Sequence, residues 1–250
     1  MEFISILESF VAGLFAGFIC GLTGMGGGTI YVPVFYFMLG SIKKAIGTSL
    51  LVILVSSVSA FISHMKADQV NFKITGFLII SGIIGAQYGS LITANLPETV
   101  VKIFFVSLAI ALAINMWRER LTDRGCSAQM RSLPVRLTLI GFSGGLISGM
   151  GGVGGAIVIV PFLHLWIGLP MKICIGTVLS VVMFNSLSAV AGYIYHGFVD
   201  FHSGTIAGLV AVFSAKAGST LSLRTDNRKL RKIFSIVLLF AGIAVLIRNP

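Results

Sequence analysis

The chain has 250 residues, of which 56% are hydrophobic and 10% charged, with a net charge of +10. An ordinary globular domain carries roughly 25% charged residues, so this composition excludes a water-soluble domain. The basic residues sit in short loops between apolar runs, which excludes a nucleic-acid surface and fits orientation in a bilayer.

A hydrocarbon core of ~30 Å is crossed by about 20 helical residues. Read in chain order, the apolar runs predict five segments per half, at 3–22, 29–39, 46–64, 74–94 and 99–117, then 135–150, 156–168, 173–195, 203–222 and 231–247. The first run carries Glu2 and Glu8 where a signal peptide would be basic, so it reads as part of the membrane domain. It leads into a glycine-rich phrase, residues 17–28, that ends in Gly24, Gly26, Gly27 and Gly28 and is followed by Pro33. A second copy about 128 residues later spans 145–155, with Gly152, Gly154 and Gly155, and is followed by Pro161; Ala156 stands where Gly28 does. Glycine costs a helix interior about 1 kcal/mol relative to alanine, so each phrase should break its helix. The short segment after the first phrase, 29–39, makes only ~16 Å of helix, half a bilayer.

The likeness between halves runs on. Gly47-Thr48 matches Gly176-Thr177, Val70-Asn71-Phe72 matches Val199-Asp200-Phe201, Gly89-Ser90 matches Gly218-Ser219, and Lys102-Ile103-Phe104 matches Lys232-Ile233-Phe234. The expected architecture is an all-α polytopic membrane protein of two inverted-topology repeats. Each has a broken or re-entrant helix pair plus three transmembrane helices, a pattern of secondary transporters. Residues 1–117 form the first repeat, 118–134 a cytoplasmic linker and 135–250 the second repeat.

With that linker inside, 13 Lys and Arg residues fall in the cytoplasm and four outside: Lys43, Lys44, Lys102 and Arg248. The loop around 66–73 is basic while its counterpart at 196–202 has no Lys or Arg, and the loop at 224–232 is basic while its counterpart near Pro97 is not. Inversion explains that swap under the positive-inside rule. Both termini are then expected outside the cytoplasm of an inner, multi-pass membrane protein.

Glycine lets a ligand or a second backbone approach closely, and a half-helix starting after a break turns its positive end toward the midplane, as an anion would favour. Close packing by small residues is the competing reading, and it suits Gly13, Gly17, Gly141 and Gly145 best. Thr48, Thr177 and Asn185 are further candidate donors within apolar segments; Asn185 aligns with Ser56. Lys216 lies deep in a segment, ~12 Å of helix before Arg224. All eight acids lie near segment ends or in loops, so an unpaired intramembrane lysine suggests an anionic ligand, with snorkelling to an interface as the alternative. Gln87 is its repeat counterpart. The four histidines lie near segment ends and read as packed or interfacial. Cys20, Cys126 and Cys174 make no zinc or disulfide pattern; contact of Cys20 or Cys174 with a sulfur-containing substrate is the alternative to inert packing. Nothing in the sequence calls for a catalytic group, metal or cofactor. Residues 141–145 match the G-x-S-x-G hydrolase pattern, but the first repeat has Phe15 where the second has Ser143, so the repeat accounts for these glycines.

The paired phrases Gly-Leu-Thr-Gly-Met-Gly-Gly-Gly-Thr-Ile-Tyr-Val-Pro and Gly-Met-Gly-Gly-Val-Gly-Gly-Ala-Ile-Val-Ile-Val-Pro resemble the TauE/SafE family of sulfite-exporter-like permeases. Residues 43–48 and 172–177, each ending in Ile-Gly-Thr, and Gly85-Ala86-Gln87-Tyr88-Gly89 fit as well. The resemblance covers nearly the whole chain. It implies transport of a small sulfur-containing anion, such as sulfite or a sulfonate, with substrate and direction varying across the family. The expected function is thus a secondary permease working by alternating access, with a small anion and the lipid bilayer as partners, no nucleic acid, and a homodimer compatible with the sequence. The alternatives are an anion channel-like pore and an intramembrane serine hydrolase.

Overall fold

The computed structural model describes residues 2–23, 27–118 and 133–222, together with Ile243 and Val245. These residues are helical, with no strand among them: α1 Glu2–Thr23, α2 Gly28–Leu39, α3 Ile42–Lys66, α4 Phe72–Asn95, α5 Glu98–Arg118, α6 Leu133–Gly151, α7 Ala156–Phe162, α8 Met171–Tyr195 and α9 Phe201–Ser222. Among the described residues, five stretches are long and apolar enough to cross a membrane: Ile42–Lys66, Phe72–Asn95, Leu133–Gly151, Lys172–Tyr195 and Phe201–Leu221. The predicted linker and most of the predicted segment 231–247 lie outside the described residues; Ile243 and Val245 within it are helical.

Both predicted breaks are present. Helix α1 stops at Thr23 and α2 starts at Gly28; α6 stops at Gly151 and α7 starts at Ala156. Each short helix begins with a glycine carbonyl taking two N–H groups. Gly27 accepts from Ile30 at 3.0 Å and Tyr31 at 2.9 Å, and Gly155 accepts from Val158 at 3.1 Å and Ile159 at 3.2 Å. Each contains its proline, which lacks an N–H for the helix ladder. After Pro161 the chain loosens into a π-helical turn, Leu163–Ile167, that closes on Gly168. Helix α2 ends on Gly40 at φ 73°, where glycine meets no Cβ penalty.

Among the described residues, the helices pack between halves more than within them. Helix α1 lies along α9, α6 lies along α4, and α3 and α8 pack on each other at the centre. Small residues set the closeness. A Cβ on Gly13, Gly17 or Gly21 would strike α9 at Ala207, the Ala211–Ser214 turn or Ala215. On Gly141, Gly145 or Gly149 it would strike α4 at Leu78 and Ser81, Gly82, or Ala86. One contiguous core joins residues of both halves, among them Tyr31, Ile46, Ile53, Val153, Val160 and Val182.

These contacts are reciprocal. The backbone N–H of Asp200, which begins α9, donates to Thr48 Oγ1 on α3 at 3.0 Å. The N–H of Asn71, which begins α4, donates to Thr177 Oγ1 on α8 at 2.9 Å. A Cβ on Gly47 would collide with the Phe198 carbonyl, and one on Gly176 with that of Gln69. In these two pairs of contacts, equivalent residues of the two repeats meet in exchanged roles.

Candidate substrate site at the helix breaks

The two breaks touch. A Cβ on Gly28 would overlap the Gly152 carbonyl oxygen and lie 2.7 Å from Val153 Cα, so the start of α2 rests directly on the second break. Ser49 Oγ on α3 donates to the same Gly152 carbonyl at 2.9 Å. The second break runs through Gly152 at φ 66°, Gly154 at φ 77° and Gly155 at φ 78°, a left-handed conformation that costs other residues roughly 1–2 kcal/mol each. Gly24 and Gly26 lie outside the described residues. Gly27, Gly28, Gly152, Gly154 and Gly155 are therefore the predicted glycines that the structure brings together, all of them buried.

Helices α2, α6 and α8 carry buried polar groups with no hydrogen-bond partner: Thr29 Oγ1 and Tyr31 Oη on α2, Ser148 Oγ on α6, and both amide atoms of Asn185 and Ser186 Oγ on α8. Each such group costs a fold about 1–3 kcal/mol when left unpaired, and a cost concentrated in one place marks a working site rather than a packing error. Ser148 is one turn before Gly152, whose N–H donates to the Ser148 carbonyl at 2.9 Å. Asn185 is about one turn beyond Val182, whose Cγ1 would lie 2.9 Å from a Cβ on Gly154. The Asn185 amide occupies the space left by the missing side chain of Gly82 on α4.

The first repeat supplies the same positions differently. Cys20 and Ser56 stand where the second repeat has Ser148 and Asn185, and Cys20 Sγ lies 3.9 Å from Ser56 Oγ. Ser56 Oγ also donates to the Ile53 carbonyl at 3.3 Å. A Cβ on Gly27 would lie 3.0 Å from Cys20 Cβ, as one on Gly155 would lie 3.4 Å from Ser148 Cβ.

Other predicted residues sit elsewhere. Thr48 and Thr177 are fully buried, but each hydroxyl oxygen takes the first N–H of a helix of the other repeat, which gives both threonines a structural role. Gln87 is half-buried between α4 and α8, its Oε1 accepting from Ser188 Oγ at 3.4 Å. Lys216 is exposed, beside Phe213, Ala217, Thr220 and Leu221 in an open depression on α9, and is not brought to the breaks. Ser143 Oγ donates to the Ile140 carbonyl of its own helix at 3.1 Å.

Sequence reasoning passed over Ser148, Thr29 and Tyr31 at the breaks, while Ser186 is a candidate donor in an apolar segment. Ser148 had a readable signal, since it aligns with Cys20 inside the repeat. His64, expected to be packed or interfacial, is packed. That ring is 1% exposed and neither nitrogen has a partner, whereas its repeat counterpart Tyr193 donates its hydroxyl to the Gly149 carbonyl at 2.8 Å.

Helices of membrane-spanning length around two touching helix breaks define a polytopic membrane protein with an internal polar site. The model of the sulfite exporter TauE/SafE family matches residues 9–245, and the chain belongs to that family. A probable membrane transporter protein of Methanocaldococcus jannaschii is 26% identical over 263 residues, covering 98% of this chain and 97% of the relative. The probable membrane transporter protein YunE of Bacillus subtilis is 25% identical over 269 residues, covering 97% and 96%. A probable membrane transporter protein of Haemophilus influenzae is 23% identical over 266 residues, covering 98% and 100%. No solved structure matches the chain. The chain is a transmembrane transporter of this family, not an enzyme.

Proposed function

We propose that this chain is a secondary permease that moves a small sulfur-containing anion, such as sulfite or a sulfonate, by alternating access. The observation that carries the reading is the meeting of the two breaks, with Gly28 seated on Gly152 beside buried hydroxyls and an amide that have no partner. Broken backbone at membrane depth is tolerated where it is buried in protein or lines a cavity, and transporters place substrate at such points. Hydroxyl and amide donors suit an oxyanion, and the start of α2 adds the positive end of a helix of 12 residues.

The swap of basic loops between the repeats supports an inverted arrangement in the inner membrane, with both termini outside and the linker inside. The close backbone contacts of α1 with α9 and of α4 with α6 make these cross-repeat pairs the natural rigid bodies. They rock about the central α3–α8 contact and open the site to each side in turn. No Asp or Glu is buried among the described residues, so coupling does not run through a carboxylate relay there.

Purified protein in proteoliposomes tests the reading. Saturable uptake of sulfite or taurine, competed by other sulfonates and not by simple carboxylates, is expected. Non-saturating conductance would establish a pore instead, and absence of any flux would remove transport of these anions altogether.

A further inference from the structure

The polar groups at the breaks are unequal between the repeats, and they carry no charge. In the first repeat Cys20 and Ser56 lie against each other, with Sγ and Oγ 3.9 Å apart, and the Ser56 hydroxyl is also bonded to its own helix. In the second repeat the equivalent Ser148 and Asn185 are both 0% exposed, and neither the hydroxyl nor either amide atom has a partner. Helices α6 and α8 pack together as α1 and α3 do; Ser148 Cβ faces Gly155 and the Asn185 amide faces Gly82. Buried groups that protein does not satisfy wait for something else to bond.

The buried ionisable side chains among the described residues are Lys43, His64 and His164, apart from tyrosine and cysteine. Lys43 Nζ donates to the Ala94 carbonyl at 2.8 Å and lies over the Phe198 ring. His164 Nδ1 is bonded to the Leu169 carbonyl at 2.8 Å. His64 is 11 residues beyond Ile53, whose Cγ2 would lie 3.5 Å from a Cβ on Gly154, about 16 Å from the second break along the helix axis. Among the described residues, no buried cation is bonded to Ser148 or Asn185. The cost of removing an ion from water rises with the square of its charge, and neutral donors offset one negative charge far better than two.

We propose that Ser148 and Asn185 are the substrate-contacting residues of this site, and that it accepts singly charged oxyanions and rejects doubly charged ones. The proposal rests on the anion-transporter reading above and narrows it. The ligand's oxygen atoms take hydrogen bonds from the Asn185 amide and the Ser148 hydroxyl, while the Cys20–Ser56 side provides a less polar wall.

Purified protein in detergent is titrated with methanesulfonate and with sulfate at matched ionic strength. The two share a face of sulfur-bound oxygens and differ in charge. Methanesulfonate should raise the melting temperature and saturate, with sulfate about ten-fold weaker or worse. Asn185→Leu keeps the side-chain shape and removes its donor. It should weaken methanesulfonate about 10- to 100-fold, the loss of one hydrogen bond to a charged group, while the ligand-free melting temperature stays level or rises. Ser148→Ala should weaken binding in the same direction without unfolding the protein. Lower melting temperatures with unchanged affinity in both variants would show structural roles and overturn the assignment. Sulfate binding as tightly as methanesulfonate would overturn the charge rule and leave the transporter reading standing. Wild-type protein that responds to no anion and transports none overturns that reading, and this inference with it.

Discussion

Gly28 shows how little room a single residue leaves at the breaks. Any side chain there enters the Gly152 carbonyl, which is backbone and cannot swing aside. Gly28→Ala should cost about 1–3 kcal/mol, as overpacking does, and abolish uptake because the breaks no longer seat on each other. Gly76 on α4 is the control, since a Cβ there meets nothing within 4 Å. Gly76→Ala should leave uptake intact and stabilise by about 0.4–1 kcal/mol through reduced freedom of the unfolded chain. Differential scanning fluorimetry beside an uptake assay separates the two. His64 offers a third case. Its buried ring has no partner, so His64→Phe should hold or raise the melting temperature; a marked fall would reveal an interaction that the ring makes. Lys216 shows what a sequence leaves unstated at this scale. Apolar neighbours in the chain suggest burial, yet α9 packs through Ala207, Ala211, Ala215 and Gly218, and Lys216 points away from that face and is exposed.

Single elements were the most legible part of the sequence. Glycine clusters and prolines fix where α1 and α6 must stop, because no neighbour can restore a helix through that many permissive residues. The roles of Thr48 and Thr177 were not legible. A hydroxyl in an apolar run reads as a donor for a ligand, and only the fold shows a helix start from the other repeat sitting opposite each one. The first N–H groups of a helix have no partner within it, so each threonine caps a neighbour from outside. Thr48→Val and Thr177→Val should each cost about 1 kcal/mol, or about 2–4 °C in melting temperature, and the two losses should be alike. Serine at either position should restore most of the loss. Asn185 was legible as a polar residue in a buried run, but its lack of a partner is visible only once Gly82 and the second break are placed around it.

At the scale of the molecule, the repeat was readable from spacing alone, and Thr48 with Asp200 and Thr177 with Asn71 form matching contacts between its copies. The direction of those copies relative to the bilayer is a matter of loop charge, and sidedness tests it. Ala67 and His196 occupy equivalent corners of the two repeats. In intact cells a membrane-impermeant maleimide should label His196→Cys and leave Ala67→Cys untouched. Labelling of both from the same side would mean parallel copies. The polar lining at the breaks was the least legible feature, because it is assembled from α2, α6 and α8, which are distant in sequence.

The embrace of α1 by α9 and of α4 by α6 has a consequence for how the chain is made. As the protein emerges from the ribosome, the glycine stripe of α1 has no surface to lie on until nearly 200 further residues have been synthesised. Neither half can complete itself, so quality-control proteases should clear an N-terminal fragment ending at Arg118 when it is expressed alone. Supplying residues 119–250 from a second message should protect that fragment and let both copurify, the newborn halves acting as each other's chaperone.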